Sequence, residues 1–520
     1  MGRKKISRWG FLAGAGVALA AGMAGCAPSS DVGAKGHADA QLTMDGLNPV
    51  KEHETDLVIV GCGTSGLAAA AEAGQEGVNC IVIDKAASYG GNAPAVEACF
   101  AVGDRLAAEQ GVAYTVADVI LRELEYSNYR TDGVMWTDLV SSSEDNYYWL
   151  VDSGVRFSGR VEKGSGLIPV AHVFEVDPGD GLAAYATPLY QLAEKLGVQF
   201  AFSQTAFRLM RDERGVVCGV YTTNAEGDVE LFKSKAVILA SGGFANNHEL
   251  LARADWAGKA DDFLINAMQI NDGDGYKMAV EAGAGDTVPH SCSINTAYIY
   301  SLGDKKAPGR TVSTDPSVLW INEDAVRFVN EDFATKTNRQ AITNPLRNQK
   351  EHYAFFDRGT AESILSPTEG FIEKFDEVLA SKPDDLFVGE TVEEVAEEAG
   401  LNPDALVQTV RRYNENAMQG KDAEYNKEAS YLKVMEKGPY YIGRLSLSTC
   451  ATFGGIRTNR KFEVVTDASE AVPGLYAIGT DGCMLYRDTY TICVPTSACA
   501  HHVHSGRQSV MNAMAYMESI

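Results

Sequence analysis

The chain has 520 residues and a formal net charge of −25 at pH 7. That length exceeds what one hydrophobic core supports, so we expect two domains. The excess of acidic side chains would repel a phosphate backbone, which excludes nucleic acid as an expected partner. The ten cysteines form no C-x-x-C pair, so neither c-type haem nor a cysteine-ligated iron–sulfur cluster is expected in this chain.

The first 26 residues have the pattern of an export signal. A basic start with Arg3 and Arg8 precedes an apolar run over 11–21, which is too short to span a bilayer, and a small-residue stretch follows that ends at Cys26. The start resembles a twin-arginine signal, although Trp9 stands where the second arginine would be. The stretch before Cys26 resembles a bacterial lipoprotein cleavage site.

We therefore expect residues 1–26 to be a signal peptide and residues 27–50 to be a flexible linker. The expected location is the extracytoplasmic face of a bacterial membrane, in the cell envelope, with a lipid on Cys26 as the membrane contact. The alternative is an ordinary cleaved signal with an incidental cysteine.

A glycine turn follows a strongly apolar run at residues 57–60. The glycines of G-x-G-x-x-G are Gly61, Gly63 and Gly66, and an alanine-rich helix pattern and a second apolar run ending at Asp84 come next. The first glycine permits a tight turn, the second lets a diphosphate approach the backbone, and the third lets helix and strand pack closely. Asp84 follows Gly66 by 18 residues, the spacing of an acid that binds an adenosine ribose. The sequence predicts a dinucleotide site here, against the alternative of a chance glycine turn in an ordinary βαβ unit.

Four later segments contain glycines of the kind that a close approach to a flavin needs. They are 89–93, 235–244, 271–275 and 474–481. Each alone could be a structural turn. Together with the first motif, they predict one flavin site built from both ends of the chain.

The order of these segments resembles the fumarate reductase and succinate dehydrogenase flavoprotein family from about Asp56 to Arg507. Further motifs that carry the resemblance are A-S-G-G at 240–243, R-F-x-N-E at 327–331 and T-F-G-G at 452–455. The resemblance implies an α/β fold, with a doubly wound Rossmann-like FAD-binding domain and an inserted α+β capping domain.

In that reading, the FAD-binding domain is 51–279 together with 449–520, and the capping domain, which would hold the substrate, is 280–448. FAD is expected to be non-covalent, because no histidine stands beside Gly90 and Gly91 to attach it. The predicted FAD contacts are Gly61, Gly63, Thr64, Ser65, Gly66, Asp84, Lys85, Gly91, Asn92, Ala93, Gly242, Asp274, Ala451, Thr480, Asp481, Ser497 and Ala498.

The resemblance also implies a catalytic arginine. In the family, the arginine that Arg327 matches protonates the substrate carbon while reduced flavin delivers hydride from N5. Arg327 is therefore the predicted proton donor, and Glu331 the predicted residue that orients it. A guanidinium is normally always protonated, so the alternative is a structural ion pair of Arg327 with Glu331 or Asp332.

Two departures from the family argue against a dicarboxylate substrate. Cys450 stands where the family has a carboxylate-binding histidine, and the register of the family's second carboxylate-binding arginine holds Tyr490. The nearest arginine, Arg487, could bind a single carboxylate or polarise a carbonyl. Tyrosines there, with Tyr298 and Tyr300 on the cap side, would suit an aryl or polycyclic substrate; their alternative role is core packing.

The predicted reaction is reduction of a carbon–carbon double bond conjugated to a carbonyl, in an enoate or enone, with Arg327, Glu331, Tyr490 and Arg487 at the catalytic site. Electrons would come from a membrane quinol- or cytochrome-type donor. Alternatives are a fumarate reductase, a 3-ketosteroid-type dehydrogenase with Tyr490 as base, and a non-catalytic electron-transfer lipoprotein. His501, His502 and His504 lack a matching ligand set, so they predict helix surface or flavin packing and no metal.

Overall fold

The computed structural model describes residues 47–164, 166–175, 180–254, 264–265, 270–303, 307–332 and 344–520. The predicted signal peptide and the predicted linker up to residue 46 lie outside those residues. Pro49–Ile520 forms one compact unit. Among the helices that the structure describes, none is long and apolar enough to cross a bilayer.

The secondary structure alternates between strands and helices. The described strands, in chain order, are β1 Lys51–Glu54, β2 Leu57–Val60, β3 Cys80–Ile83, β4 Ala98–Phe100, β5 Phe157–Glu162, β6 Ala171–Phe174, β7 Gln199–Ala201, β8 Thr205–Arg211, β9 Val217–Thr223, β10 Val229–Lys233, β11 Ala236–Leu239, β12 Leu264–Ile265, β13 Cys292–Ile299, β14 Leu319–Asn322, β15 His352–Asp357, β16 Leu386–Gly389, β17 Tyr440–Phe453, β18 Glu463–Val465 and β19 Ala471–Ala477. The described α-helices are α1 Thr64–Gln75, α2 Arg105–Glu109, α3 Val116–Tyr126, α4 Gly133–Ser141, α5 Ser143–Asp152, α6 Thr187–Lys195, α7 His248–Arg253, α8 Asp274–Glu281, α9 Pro308–Thr314, α10 Arg358–Leu365, α11 Phe371–Ala380, α12 Val392–Glu398, α13 Pro403–Met418 and α14 Ser497–Ser519.

A six-stranded sheet carries the predicted flavin motifs. Its strand order is β18-β19-β11-β2-β3-β7, and all neighbours are parallel except β18 and β19. Both faces are covered, which explains why β2 is apolar at every position: Leu57 and Ile59 enter one core with α1 and α14, whereas Val58 and Val60 enter another with β9 and β10. This arrangement confirms the α/β, Rossmann-like fold, and β19 brings a late segment of the chain beside β11.

Helices α1 and α14 pack against each other through a glycine. A Cβ atom on Gly506 would lie 2.8 Å from the carbonyl oxygen of Ser65 and 2.9 Å from the Cβ atom of Ala68. Those distances are too short for a side chain, so the two helices can be this close because residue 506 has none. The contact holds the start of α1 beside α14.

A second mixed sheet is organised around the long strand β17, which pairs with β12, β13, β15 and β16; β14 pairs with β15. Its side chains alternate between two cores. Trp320 packs with α9, α10 and α11 on one face, and Leu319 and Ile321 pack with α12 and α13 on the other. The predicted domain boundary at 448/449 falls inside β17, which is one continuous strand; the two-domain division of Pro49–Ile520 stays a prediction.

Two smaller sheets accompany these. The four-stranded sheet β1-β10-β9-β8 covers one face of the six-stranded sheet through the core shared by β9 and β10. The three-stranded antiparallel sheet β4-β6-β5 lies near α2, α5 and α14.

Candidate active site

A cleft lies at the carboxyl ends of β2, β3 and β11. In open parallel sheets, ligands bind at this edge. Of the predicted FAD contacts, those that line the cleft are Gly61, Gly63, Thr64, Ser65, Asp84, Lys85, Gly91, Asn92, Gly242, Asp274 and Thr480. The structure therefore brings together residues from the first hundred positions, from the middle of the chain and from residue 480.

The glycine turn between β2 and α1 forms the floor of the cleft. Gly61 has φ of +113°, and a Cβ atom there would lie 2.2 Å from the carbonyl oxygen of Ala240 on β11's end. A Cβ atom on Gly66 would lie 2.0 Å from the carbonyl oxygen of Gly61. Helix α1 begins after Gly63, which offers no side chain to cap it, so the first backbone N–H groups of α1 are free to bind an anion.

Two charged residues at the end of β3 are already engaged with protein groups. Asp84 accepts hydrogen bonds from the backbone N–H of Cys62 at 2.6 Å and of Ala86 at 2.8 Å. Burial raises the pKa of Asp84, and these two donors oppose the shift. Lys85 donates to Asp272 and Asp274, each at 2.7 Å, so its charge is balanced at the wall of the cleft.

Asp481 supports the cleft from behind. Its buried carboxylate accepts hydrogen bonds from the hydroxyl of Ser241 and the N–H of Gly243, both at 2.9 Å, and from the N–H of Ser241. Asp481 does not line the cleft. Its hydrogen bonds hold the glycine turn after β11 and set the position of Gly242. The other predicted contacts that do not line the cleft are Gly66, Ala93, Ala451, Ser497 and Ala498.

Several lining residues were not predicted. Asn271 and His502 lie in segments whose pattern drew attention, and Asn271 accepts a hydrogen bond from Asn92 at 3.0 Å. Ser241 lies inside the predicted A-S-G-G turn. Gln204 follows β7 and has no signal in the sequence, because its place at the cleft depends on how β7 pairs with β3.

These features fit FAD. The free N-terminus of α1 suits a diphosphate, the glycines leave room for close approach, and both ring nitrogens of His502 are buried without a partner among the described residues. A buried polar atom without a partner is costly, and a bound cofactor would supply one. The residues that would hold FAD are therefore those of the cleft.

An aromatic cluster lies near the start of α14. Phe453 at the end of β17 stacks on Tyr490 at 4.9 Å between ring centroids, and Tyr486 meets Tyr490 edge-on at 4.6 Å. The hydroxyl of Tyr486 donates to Ser497, the first residue of α14, at 2.8 Å. All three residues are buried, and Tyr490, at 7% exposed against 1% for the other two, is the least enclosed.

Cys450 and the titration of Tyr490 change the expected chemistry of this cluster. The pairing of β17 with β13 shifts register at Cys450, which leaves that half-buried residue as a β-bulge, a feature common next to active sites. Burial, followed by the neighbouring Cys450 and Cys292, raises the pKa of Tyr490. Its phenol stays protonated at neutral pH, where it can donate a hydrogen bond and is a poor base.

Arg487 does not join this cluster, and its place at the substrate stays a prediction. Its side chain is 49% exposed and donates to Asp132 at 2.9 Å. Residue 487 has φ of +53°, a backbone conformation that residues other than glycine rarely adopt. Of the cap tyrosines, Tyr298 is buried and Tyr300 is 60% exposed.

Arg327 is enclosed in the sheet built around β17 and is 3% exposed. It forms a two-pronged ion pair with Glu331, at 3.0 Å from Nε and 2.8 Å from Nη2, and it donates to Asp422 at 3.0 Å. Lys427 binds the same Glu331 carboxylate at 3.0 Å. The rings of Tyr413 and Tyr425 lie 5.4 and 4.8 Å from the guanidinium carbon.

This ion cluster favours the structural alternative for Arg327 over the proton donor. Burial would lower the pKa of Arg327, but Glu331 and Asp422 together raise it above its ordinary value. The guanidinium N–H groups are occupied by two carboxylates, and none of the cluster's residues lines the cleft. In the structure they form a buried ion pair that ties β14 to the segment around residue 422, and the roles of Arg327 as proton donor and of Glu331 as the residue that orients it stay predictions.

Glu123, on α3, is a buried acid that the sequence did not reveal. Its Oε1 atom accepts from the hydroxyl of Thr491 at 2.5 Å, whereas Oε2 has no partner among the described residues. Burial raises the pKa of Glu123 to about 7, against the opposing hydrogen bonds from Thr491 and Val494. The residue next to its partner is Tyr490, so Glu123 supports the segment that carries the aromatic cluster.

The three histidines of α14 have separate surroundings. His501 and His504 are buried and pack near Phe462, and His502 faces the cleft. Over the described part of the chain, no three His, Cys, Asp or Glu side chains are placed to hold a metal ion.

Comparisons with known proteins identify the family of the chain. A family model described as FAD binding domain matches residues 56–493. A vinyl phenol reductase of Lactiplantibacillus plantarum is 28% identical over 491 residues, covering 90% of this chain and 97% of that protein.

Two solved structures show the same fold. The open conformation of a flavocytochrome c3 fumarate reductase has a TM-score of 0.69 at 22% identity, covering 90% of this chain and 79% of that one. A 3-ketosteroid-Δ4-(5α)-dehydrogenase of Rhodococcus jostii also has a TM-score of 0.69 at 22% identity, covering 89% and 97%. At that identity, both likenesses concern the fold.

Proposed function

Because the chain belongs to the FAD binding domain family, as a flavoprotein of the fumarate reductase and succinate dehydrogenase type, we propose that it reduces a carbon–carbon double bond conjugated to an aromatic ring or a carbonyl. Its class is that of FAD-dependent oxidoreductases acting on carbon–carbon double bonds. The proposed substrate is an aryl or cyclic alkene, enoate or enone, and a simple dicarboxylate is disfavoured.

The observation that carries this proposal is the aromatic cluster of Phe453, Tyr486 and Tyr490. Position 450 holds a thiol, and Arg487 turns outward to Asp132, so neither supplies a cation for a second carboxylate. A flat apolar wall with a protonated phenol suits an aromatic or cyclic substrate that carries one polar group. The name of the vinyl phenol reductase agrees with such a substrate class.

We propose a separate role for each group of residues. The N-terminus of α1 binds the cofactor diphosphate, the turn held by Asp481 places the backbone at Gly242, and the ring of Tyr490 orients the alkene and excludes water. FAD held by the residues of the cleft would supply the two electrons as hydride, and Arg327, the predicted donor, would supply the proton to the neighbouring carbon. We propose that an external membrane quinol- or cytochrome-type donor returns the electrons.

The direct test is reoxidation of the reduced enzyme. The protein without residues 1–26 is reduced anaerobically and mixed with 4-vinylphenol, cinnamate, a cyclic enone and fumarate in separate reactions, and flavin absorbance is followed. We expect reoxidation by one or more of the aryl or cyclic acceptors and little by fumarate. Rapid reoxidation by fumarate alone would contradict the proposal, and oxidation of a saturated ketone by the enzyme would instead support the dehydrogenase alternative.

The role of the aromatic wall is tested with Tyr490→Ala. Loss of the ring should raise KM for an aryl acceptor about tenfold or more, which corresponds to about 1.4 kcal/mol of lost contact, while FAD content stays unchanged. Tyr129→Ala is the control, because its ring is 67% exposed. An unchanged KM in Tyr490→Ala would show that the substrate lies elsewhere.

The location in the cell envelope is a separate proposal that rests on residues 1–26. Expression of the full chain in a bacterium that exports lipoproteins should give membrane-associated protein that protease added to spheroplasts can reach. Cys26→Ala should release the protein from the membrane fraction. Retention of both forms inside the spheroplast would contradict the proposal.

A further inference from the structure

His502 occupies a distinctive place on α14. Its ring lines the cleft, on the same side as Thr480. A Cβ atom added to Gly479 would lie 3.5 Å from the Cδ2 atom of His502 and 2.3 Å from the hydroxyl oxygen of Ser65. The ring is therefore separated by about the width of one methyl group from the first turn of α1, where the free backbone N–H groups face the cleft.

The ring nitrogens of His502 have no hydrogen-bond partner among the described residues, and both are buried. Burial lowers the pKa of His502 to about 4, so the ring is neutral at pH 7 and carries one N–H donor and one acceptor. Leaving a buried donor and a buried acceptor unpaired lowers the stability of the protein without ligand by a few kcal/mol. That cost is offset if a ligand in the cleft provides the missing partner.

The neighbouring histidines do not share this situation. His501 and His504 lie on the same helix, pack near Phe462, and are not lining residues of the cleft. Elsewhere in the described chain, no other histidine has both ring nitrogens buried and unpaired. The feature therefore belongs to the one histidine that faces the cofactor cleft.

We infer that His502 donates a hydrogen bond to an oxygen of the FAD diphosphate. The N-terminus of α1 favours an anionic group at this point of the cleft, and a neutral imidazole N–H can bind a phosphate oxygen without placing a second charge there. A ribityl hydroxyl offers the same kind of acceptor, so the experiment separates the two oxygens. The inference rests on FAD binding and holds whichever alkene the enzyme reduces.

The test compares His502→Leu with His502→Gln. Leucine replaces the imidazole by an apolar side chain and so removes the donor, whereas the glutamine side chain restores an N–H group. Binding of FAD and of ADP to the cofactor-stripped protein is measured by calorimetry, and the rate of FAD release from the holoenzyme is followed by flavin fluorescence. ADP carries the diphosphate without the flavin and the ribityl chain.

We expect His502→Leu to weaken the binding of both FAD and ADP by about 10- to 100-fold, and His502→Gln to recover part of the loss. The thermal midpoint of the stripped His502→Leu protein should be equal to that of the unchanged chain or above it, since the variant removes buried unpaired atoms. This combination separates cofactor contact from a structural role, which would lower the midpoint.

Two further variants serve as controls. His290→Leu changes an exposed histidine, and His504→Leu changes a buried one on the same helix that is not at the cleft. Neither should alter ADP affinity. Unchanged FAD affinity in His502→Leu would overturn the inference, and weakened FAD affinity with unchanged ADP affinity would overturn the contact with the diphosphate.

Discussion

Glu123 illustrates how one enclosed carboxyl group couples stability to pH. Its pKa in the folded protein is about 7, against an ordinary value of 4.5. Between those values, the folded state holds a proton that the unfolded state has released, so the free energy of unfolding falls as pH rises through this window. Below pH 4.5 both states are protonated, and above pH 7 the cost of the buried charge is complete.

Glu123→Gln should remove this dependence. Relative to the unchanged chain, the variant should gain roughly 3 kcal/mol of unfolding free energy between pH 4.5 and pH 8, because the amide never ionises. Urea unfolding at several pH values measures the difference. Glu125→Gln, at an exposed position of the same helix, is the matched control, and a parallel pH profile for both variants would show that Glu123 does not titrate near neutrality.

Arg327 provides a second prediction at the scale of one residue. Arg327→Gln leaves Glu331 and Asp422 buried without their main partner, which should lower the free energy of unfolding by about 3 to 5 kcal/mol. Denaturant unfolding measures this, and turnover per folded, flavin-loaded molecule is measured at low temperature. If the guanidinium acts only in the ion cluster, we expect that turnover to stay within about tenfold of the unchanged chain.

The control for Arg327 is Arg358→Gln. Arg358 pairs with Glu362 and Asp376 in the same sheet region, but its side chain is 26% exposed, so its loss should cost less than about 1 kcal/mol. If Arg327→Gln abolished turnover while its unfolding free energy matched that of Arg358→Gln, the result would support Arg327 as the proton donor.

At the scale of elements, the contact between α1 and α14 connects packing to cofactor binding. Gly506→Ala would place a methyl group within 2.8 Å of Ser65 and would push α14 away from the start of α1. We expect lower thermal stability and a weaker affinity for FAD by about tenfold or more, because Ser65 on α1 and His502 on α14 both line the cleft. Gly359→Ala, in α10, meets its nearest atom at 3.7 Å and should leave both quantities unchanged. Equal FAD affinity in the two variants would contradict this coupling.

The elements that local sequence patterns could predict are those whose contacts are also local. The strand, turn and helix from Leu57 to Gln75 follow from neighbouring residues, and so does the position of Asp84. The pairing of Arg487 with Asp132 and that of Glu123 with Thr491 join residues more than 350 positions apart, and no pattern along the chain encodes them. This is why most of the predicted cofactor contacts meet at one cleft, whereas the partners of Arg487 and Glu123 could not be predicted.

At the scale of the whole molecule, FAD should act as a stabilising ligand of Pro49–Ile520. The cleft joins residues near 61, 242 and 480, so the folded state binds the cofactor and the unfolded chain does not. Free FAD at 100 times its dissociation constant should add about 2.7 kcal/mol to the free energy of unfolding. A series of thermal melts at increasing FAD concentration tests this, and a midpoint independent of FAD would contradict it.

The family model confirms the predicted fold class and family. The sequence could predict them because several weak motifs occur in one order along the chain, and a single glycine turn would not have been sufficient. The boundary between two domains was harder to predict from the sequence, because β17 runs through the predicted boundary and joins both regions. A strand that belongs to two structural regions carries no change in composition at the point where they meet. The domain boundary therefore stays a prediction.

The order of strands β2, β11 and β19 has a consequence for biosynthesis. A ribosome makes the turn at Gly61 early, but Thr480 and His502, which complete the cleft, emerge more than four hundred residues later. At about 5 to 20 residues per second, the half-made site would wait for tens of seconds. Flavin loading is therefore a step that follows translation, and the supply of free cofactor in the compartment where the finished chain folds would set the fraction of active enzyme.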